Sequence, residues 1–325
     1  MLLAQNIGEY CSIDETQLCE DVYTILSNKA GHGKKGTVIA VIRGTKASVV
    51  SQVIKKIPVS ELARVKEITM DFSDSMYNIA KQCFPNADIV IDCFHIVQRL
   101  CEGLEEIRLK FKRPAMTESK KAAAAFARNE DRKARQRLYY RKKHKRNPKE
   151  SRGRKQLYKP VELSNGDTKV ELLTRSRNLL SQSGEKWGEH KKERARLLFE
   201  LYPQLKEGYS LVCKVRSVFK EDISVDEARK LLHEWYQDVS NCSLREVKAA
   251  RDCIKSKEKE VLNYFINRST NASAESLNSK MKGFRAQLHG IADIPFFMYR
   301  LCKIFGLYCP CLPRKILPAP VLSPL

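Results

Sequence analysis

The sequence predicts an α/β protein, with a mixed sheet at its core and a large all-α insertion. Three observations carry the prediction. Short apolar runs rich in β-branched residues alternate with helical spacing over the first hundred residues, the fourth and fifth of those runs stop at an aspartate, and residues 101–265 show helical patterns only. At 325 residues the chain is long enough to bury a substantial core.

Glu9 to Ile13 is short and mixed, and Ser12-Ile13-Asp14-Glu15 reads as a first strand that delivers an acid at its end. Val22 to Leu26 is a second strand. Lys29 to Gly36, with three glycines and three lysines, is a turn. Thr37 to Ile42 is a continuous β-branched run closed by Arg43-Gly44, a third strand. Ala47, Val50, Val53, Ile54 and Ile57 recur at helical spacing until Pro58 ends the helix. Val65 to Met70 is a fourth strand that stops at Asp71, and Met76, Ile79, Ala80 and Cys83 mark the next helix before Pro85. Ala87 to Ile91 is too continuously apolar for a half-exposed strand, so it reads as buried on both faces; it ends at Asp92, with His95 three residues on. Three strands, helix, strand, helix, strand is the order of a ribonuclease-H-like sheet. In an open α/β sheet ligands gather beyond the carboxyl ends of the strands, where Asp71 and Asp92 should lie.

After His95 the composition changes. Arg108 to Lys159 holds 21 Lys or Arg against 4 Asp or Glu, which supplies most of the net charge of +22. Ala122 to Phe126 and Leu138 to Tyr140 suggest a long basic helix, and Arg146 to Pro160 a loop. Lys169 to Leu180 and Glu193 to Leu205 read as amphipathic helices, the second with Leu197, Leu198, Leu201 and Leu205 on one face. Ser224 is placed to cap a helix carrying Leu231, Leu232, Trp235 and Tyr236, and Ser243 with Glu246 has capping-box spacing. In Ser269 to Arg285, Leu277, Met281 and Phe284 mark a buried face, while Asn271, Glu275, Asn278 and Lys282 share another. Phe296 to Leu301 gives one more helix. The expected divisions are thus 1–100, the first part of the core; 101–265, the basic helical insertion; 266–306, the helical completion of the core; and 307–325, an irregular tail with five prolines.

A charge of +22 and a pI near 9.6 imply a polyanionic partner, nucleic acid ahead of a membrane surface. Within the basic run, Lys120, Lys121, Arg132, Lys133, Arg135, Arg137, Arg141, Lys142, Lys143, Lys145, Arg146, Arg152, Arg154 and Lys155 are the candidate phosphate contacts. Trp187 and Trp235 either stack on bases or pack inside the helices, and packing is the expectation. No apolar run approaches the roughly 18 residues of a spanning helix, and the start has no signal-peptide pattern, so a cytoplasmic protein is expected. Eleven cysteines without repeated spacing argue against a disulfide framework, and Cys309 and Cys311 have no second pair at zinc-ligand distance.

Three carboxylates far apart in sequence can converge: Asp14, Asp71 and Glu275. Hard oxygen donors of this kind suit Mg²⁺ or Mn²⁺, and two such ions can drive in-line displacement at phosphorus. Glu15 rivals Asp14, and Asp74 sits near Asp71. Asp71 could instead cap the helix near Ser73, Glu275 could be a solvated helix residue, and His95 could be structural or meet a phosphate or leaving group. Asp92 is either a ligand or a support for His95 and the strand end. Neither a Walker loop nor a dinucleotide fingerprint is present.

The stretches IDE around Asp14, MDFSDSMY around Asp71, FPNADIVIDCFHIVQ around Asp92 and TNASAESLNSKMKGFR around Glu275 resemble a DDE-type transposase of bacterial insertion sequences, in the ISL-three-like branch related to the Mutator and hAT groups. The resemblance covers almost the whole chain. It implies Asp14, Asp71 and Glu275 as the metal-binding triad, places the family's Asp-or-Cys, two residues, His signature on Asp92 and His95, and implies a helical insertion before the glutamate. The implied activity is hydrolysis that frees a 3′-hydroxyl at each transposon end, then attack by that hydroxyl on target DNA. The implied partners are double-stranded DNA at the ends and target and further copies of the chain assembled on it, in association with the bacterial nucleoid. Where the family carries a zinc-binding and helix-turn-helix region, only thirteen residues precede Asp14. End recognition is therefore expected from a separate end-binding protein or not at all. A non-catalytic DNA-binding remnant and a structure-specific nuclease of the same fold are the readings that compete with a transposase.

Overall fold

Five strands form one mixed sheet in the computed structural model, which describes residues 1–18, 20–144, 156–288, 291 and 293–306. These residues fall into two units, the first comprising Met1–Ile96, Asp222–Arg229 and the described residues from Lys257 on, the second Val97–Glu221 and Lys230–Ser256.

In the first unit, β1 (Tyr10–Leu18), β2 (Asp21–Asn28) and β3 (Val38–Arg43) pair antiparallel, and the chain then crosses through α1 (Ala47–Ile54) and α2 (Val59–Leu62). β4 (Glu67–Met70) lies parallel to β1, and after α3 (Asp74–Cys83) β5 (Asp88–Ile91) lies parallel to β4, giving the order β3-β2-β1-β4-β5. Every residue of β4 and all but the first of β5 are buried; Ile68, Met70 and Ile89 to Ile91 account for the apolar runs, while Glu67 is paired with Lys29 at 3.2 Å. The first strand differs from expectation. It does not stop at Asp14 but continues to Leu18, because β2 supplies an antiparallel partner for every residue from Cys11 onward. The first helix also ends earlier, at Ile54, and Ile57 is buried in the turn that precedes α2, a short element the apolar spacing did not show.

The chain leaves the sheet into α4 (Cys93–Lys143), 51 residues long with Pro114 inside it. From Val97 on, α4 belongs to the second unit, which continues with α5 (Lys169–Arg175), α6 (Arg177–Leu180), α7 (Glu189–Leu201), α8 (Pro203–Lys220), α9 (Val225–Asn241, from Lys230) and α10 (Arg245–Ser256). The expected Glu193–Leu205 helix is two helices: Pro203 at the first position of α8 divides it, and Leu201 is exposed while Leu198 and Leu205 are buried. Leu138 and its tyrosine neighbours Tyr139 and Tyr140 are exposed, so that stretch is not a packing seam. Ser224 caps α9 with a reciprocal bond from Glu227, as expected, whereas α10 begins at Arg245 and Glu246 pairs with Lys110. Both tryptophans are packed. Trp235 is buried and donates to the Leu211 carbonyl, and Trp187 stacks on Tyr209 with ring centroids 5.1 Å apart and donates to the Leu179 carbonyl.

The chain returns to the first unit through α11 (Glu258–Leu262), which packs against β5, then α12 (Tyr264–Asn267), α13 (Ala272–Gln287) and α14 (Ile294–Phe305). Leu277 and Met281 of α13 and Phe297, Leu301 and Phe305 of α14 form one core with Leu18, Tyr23, Ile25, Val38 and Val41 of the sheet. Apolar contact with three strands thereby fixes α13. The tail from 307 and the Cys309 and Cys311 pair lie outside the described residues. No helix among the described residues is long and apolar enough to cross a membrane.

Leu277→Ala is expected to lower the unfolding free energy by about 2–5 kcal/mol, because the site is fully buried and cannot collapse easily. Urea denaturation followed by circular dichroism measures this, and a loss under about 1 kcal/mol would mean that α13 is not packed onto the sheet.

Candidate active site

Strand register places three aspartates side by side. Ile13 pairs with Met70, and Met70 with Ile91, so the residue following each of these, Asp14, Asp71 and Asp92, occupies the same level on neighbouring parallel strands. Pairing between β1 and β4 stops at Ile13, which leaves Asp14 beyond the parallel ladder although its own strand goes on. Adjacent strands lie about 4.8 Å apart, so three like charges meet there and must be offset by donors.

Asn271, fully buried at the entrance to α13, supplies several. Its backbone N–H donates to Asp92 Oδ2 at 2.7 Å, its Nδ2 donates to Asp71 Oδ1 at 3.0 Å, and its Oδ1 accepts from Thr69 Oγ1 at 3.4 Å. The other oxygen of Asp92 accepts from the Phe94 N–H at 2.9 Å. Asp92 is 3% exposed and both its oxygens face backbone donors, so it ties α4 and α13 to the strand end rather than presenting free oxygens to a ligand. Two turns along α13, Asn278 Nδ2 donates to Asp14 Oδ2 at 2.6 Å, and the Glu15 N–H donates to Asp14 Oδ1 at 2.7 Å.

His95 Nε2 lies 2.9 Å from Asp71 Oδ1. Burial alone would lower its pKa, but the hydrogen bond and charge of Asp71, with Asp92 and Asp14 behind it, outweigh burial and hold it above the usual histidine value. Asp14 is displaced further. Burial first, then the charge of Asp71, push it up to about 7, with Glu275 adding a smaller push and the Glu15 amide and His95 opposing. Burial and Asp71 likewise raise Glu15.

The structure brings Asp14, Asp71, Asp92, His95, Asn271 and Asn278 together. Glu275 stands exposed on the first turn of α13, near enough for its charge to act on Asp14. Lys282 is exposed, and no contact among the described residues ties it to the carboxylates. Asp74 turns away to pair with Lys257, and helix α3 starts from Ser73 without an Asp71 side-chain cap, so Asp71 is engaged by His95 and Asn271 instead. Sequence reasoning misses Thr69; a threonine in a buried strand, two residues before Asp71, is its only signal.

Of the basic candidates, Lys120, Lys121, Arg132, Lys133, Arg135, Arg137, Lys142 and Lys143 are exposed along α4 and Arg141 is half-buried, with Lys133 bonded to Glu130. Lys145, Arg146, Arg152, Arg154 and Lys155 lie outside the described residues.

Among the described residues no three Asp, Glu, His or Cys side chains stand close enough together to cage a metal ion unaided. The donor set nevertheless fits a hard divalent cation. It is built from carboxylate oxygens, burial and then the charge of Asp71 push the pKa of Asp14 up to about 7, which a cation would reverse, and Asn278 Oδ1 is buried beside it without a hydrogen-bond partner among the described residues.

The profile of the ISL3 family of DDE transposases, described as transposase, matches residues 11–301. Neither a curated protein nor a solved structure matches the chain.

Because Asp14 binds its proton more tightly in the fold than in the unfolded chain, its contribution favours the fold below pH 3.8 and is lost as pH rises toward about 7; His95, raised above 6.5, is lost in the same direction at higher pH. Without divalent metal, urea stability should therefore fall between about pH 4 and pH 8, and Asp14→Asn should remove on the order of 1–3 kcal/mol of that fall. An unchanged pH dependence in the variant would show that Asp14 is ionised throughout.

Proposed function

The chain belongs to the ISL3 family of DDE transposases, and from that premise we propose that Asp14, Asp71 and Glu275 are the acidic triad of an enzyme that cuts DNA at transposon ends and joins them to target DNA. The observation that carries the reading is the register row of Asp14 and Asp71 beyond the parallel ladder, with Glu275 acting electrostatically on Asp14 from α13. The strand order β3-β2-β1-β4-β5, three antiparallel strands followed by two parallel ones, supports a ribonuclease-H-like core.

Asp14, Asp71 and Glu275 would hold Mg²⁺ or Mn²⁺, and two such ions supply activation of the attacking oxygen and stabilisation of the leaving one at phosphorus. The protein's own groups prepare the carboxylates for that task. Asn278 and the Glu15 amide orient Asp14 through one oxygen each, and Asn271 orients Asp71. His95 Nε2 sits 2.9 Å from Asp71, which fixes that carboxylate and places an imidazole of raised pKa near an incoming phosphate. Asp92, through the Phe94 and Asn271 N–H groups, holds the starts of α4 and α13 in place. The exposed cations of α4 grip the DNA backbone without reading its sequence, and the chain acts as a homo-oligomer on that DNA, with end recognition supplied by a separate end-binding protein.

Asp71→Asn and Glu275→Gln are each expected to reduce Mg²⁺-dependent cleavage of labelled DNA from the ends of the element by at least about 100-fold, with salt-sensitive DNA binding nearly unchanged. The two readouts are gel-resolved cleavage and a binding titration at two salt concentrations. Cleavage that survives either change removes the triad, and wild-type DNA binding without cleavage would favour the non-catalytic remnant.

A further inference from the structure

The first turn of α4 carries an aromatic ring that the helix does not bury. Phe94 is 60% exposed. The helix buries Ile96, Leu100, Leu104 and Ile107 at spacings of four, four and three, and Phe94 stands two residues before Ile96, about 200° around the axis from it. Its place is nonetheless fixed. The Phe94 N–H donates to Asp92 Oδ1 at 2.9 Å, and its ring meets His95 edge-on with centroids 5.3 Å apart, while His95 in turn is bonded to Asp71 at 2.9 Å. An open aromatic surface is thus held by its backbone one residue from the imidazole that touches the carboxylate row.

We propose that Phe94 is a stacking platform for a nucleobase displaced from the duplex beside the scissile phosphate, a positioning residue that rests on the active-site reading given above. The chain's charge of +22 calls for a polyanion, but a phenyl ring has neither a charge nor a hydrogen-bond donor to offer a phosphate. The face of a base is the part of a nucleic acid that an apolar ring accepts, and stacking of this kind tolerates any sequence. In an intact duplex both faces are covered by neighbouring bases, so the base on Phe94 is one that has left the stack. Holding it would keep the adjacent backbone from sliding past Asp14 and Asp71.

The test uses the full chain and a forked DNA duplex with 2-aminopurine as the first unpaired base, in Ca²⁺. Wild-type protein should quench the probe by stacking, and Phe94→Tyr and Phe94→Trp should preserve the quenching. Phe94→Ala should lose it while thermal unfolding and salt-sensitive binding stay as in the wild type. On DNA from the ends of the element with Mg²⁺, Phe94→Ala should slow cleavage about 5- to 100-fold, and an abasic site at the stacked position should bring wild type and Phe94→Ala to the same rate. If Phe94→Ala does not fold, Phe94→Leu, which keeps apolar bulk without a ring, carries the comparison. Unchanged quenching, a cleavage defect that the abasic site does not equalise, or loss of a protein dimer in Phe94→Ala alone would each overturn the proposal. Absence of cleavage by the wild type would instead refute the active-site reading, and the quenching measurement would still decide the role of Phe94.

Discussion

Three negative charges cannot share one level of a sheet unless something donates to them, and in this protein that something arrives from nearly two hundred residues away. Asp14, Asp71 and Asp92 follow the paired residues Ile13, Met70 and Ile91 on adjacent parallel strands. Asn271 meets two of them, with its backbone N–H on Asp92 and its amide on Asp71. Amide-to-carboxylate bonds of this length are charge-assisted and stronger than neutral ones, but they form only if α13 is held against the sheet. Apolar packing does that holding: Leu277 and Met281 lie in one core with Leu18, Tyr23 and Ile25. The polar site is therefore stabilised by a hydrophobic contact on the same helix, and the two cannot be separated.

The three acids are not equivalent, because their donors differ. A carboxylate offers about four lone-pair positions. Asp92 directs one oxygen to the Phe94 N–H and the other to the Asn271 N–H, is almost completely buried, and ends as a structural tie. Asp71 is more open and shares one oxygen between His95 and Asn271, which leaves its second oxygen available. Asp14 is buried and is served by one amide on each oxygen, which is too little to offset burial and two neighbouring carboxylates, so its pKa climbs to about 7. Environment thus sorts identical side chains into an anchor and two groups poised for a counter-charge.

Much of this was legible from residue order, and the failures have physical causes. β3, β4 and β5 could be read because their apolar runs are continuous and their ends coincide with Arg43, Asp71 and Asp92. The end of β1 is not legible in the sequence because it is set by pairing with β2, a tertiary fact, while the property that matters for Asp14 is the end of its pairing with β4. The face of α13 carrying Asn271, Glu275 and Asn278 followed from spacing of 3.6 residues per turn, but spacing says nothing of reach. Lys282 lies a turn beyond Asn278 and makes no contact with the carboxylates among the described residues. The division of roles between Asp71 and Asp92 was not readable either, since both follow a buried strand and precede a helix, and only the donors brought by Asn271 tell them apart. Pro203 divides the apolar spacing from Glu193 to Leu205 into two helices, because proline fits a first helical position and not an interior one.

Charge and chemistry are encoded by different stretches of the chain. Arg108 to Lys159 carries a surplus of 17 positive charges out of a total of +22, so all the remaining residues together contribute only five. Every side chain of the carboxylate site belongs to the first unit, whereas the described part of that basic stretch belongs to the second. Affinity for a polyanion depends on the number of neutralised phosphates and falls steeply with salt, whereas the state of Asp14 depends on burial and on its immediate neighbours, which salt screens far less. Raising the ionic strength should therefore weaken attachment while leaving the protonation of Asp14 almost where it was, and substitutions among the exposed cations of α4 beyond Lys120, far along the helix from His95, should act on the first property alone. The insertion of the basic helices between β5 and α13 adds positive charge without changing a residue of the acid row, at the cost of making the donors of that row, Asn271 and Asn278, the last pieces to reach it along the chain.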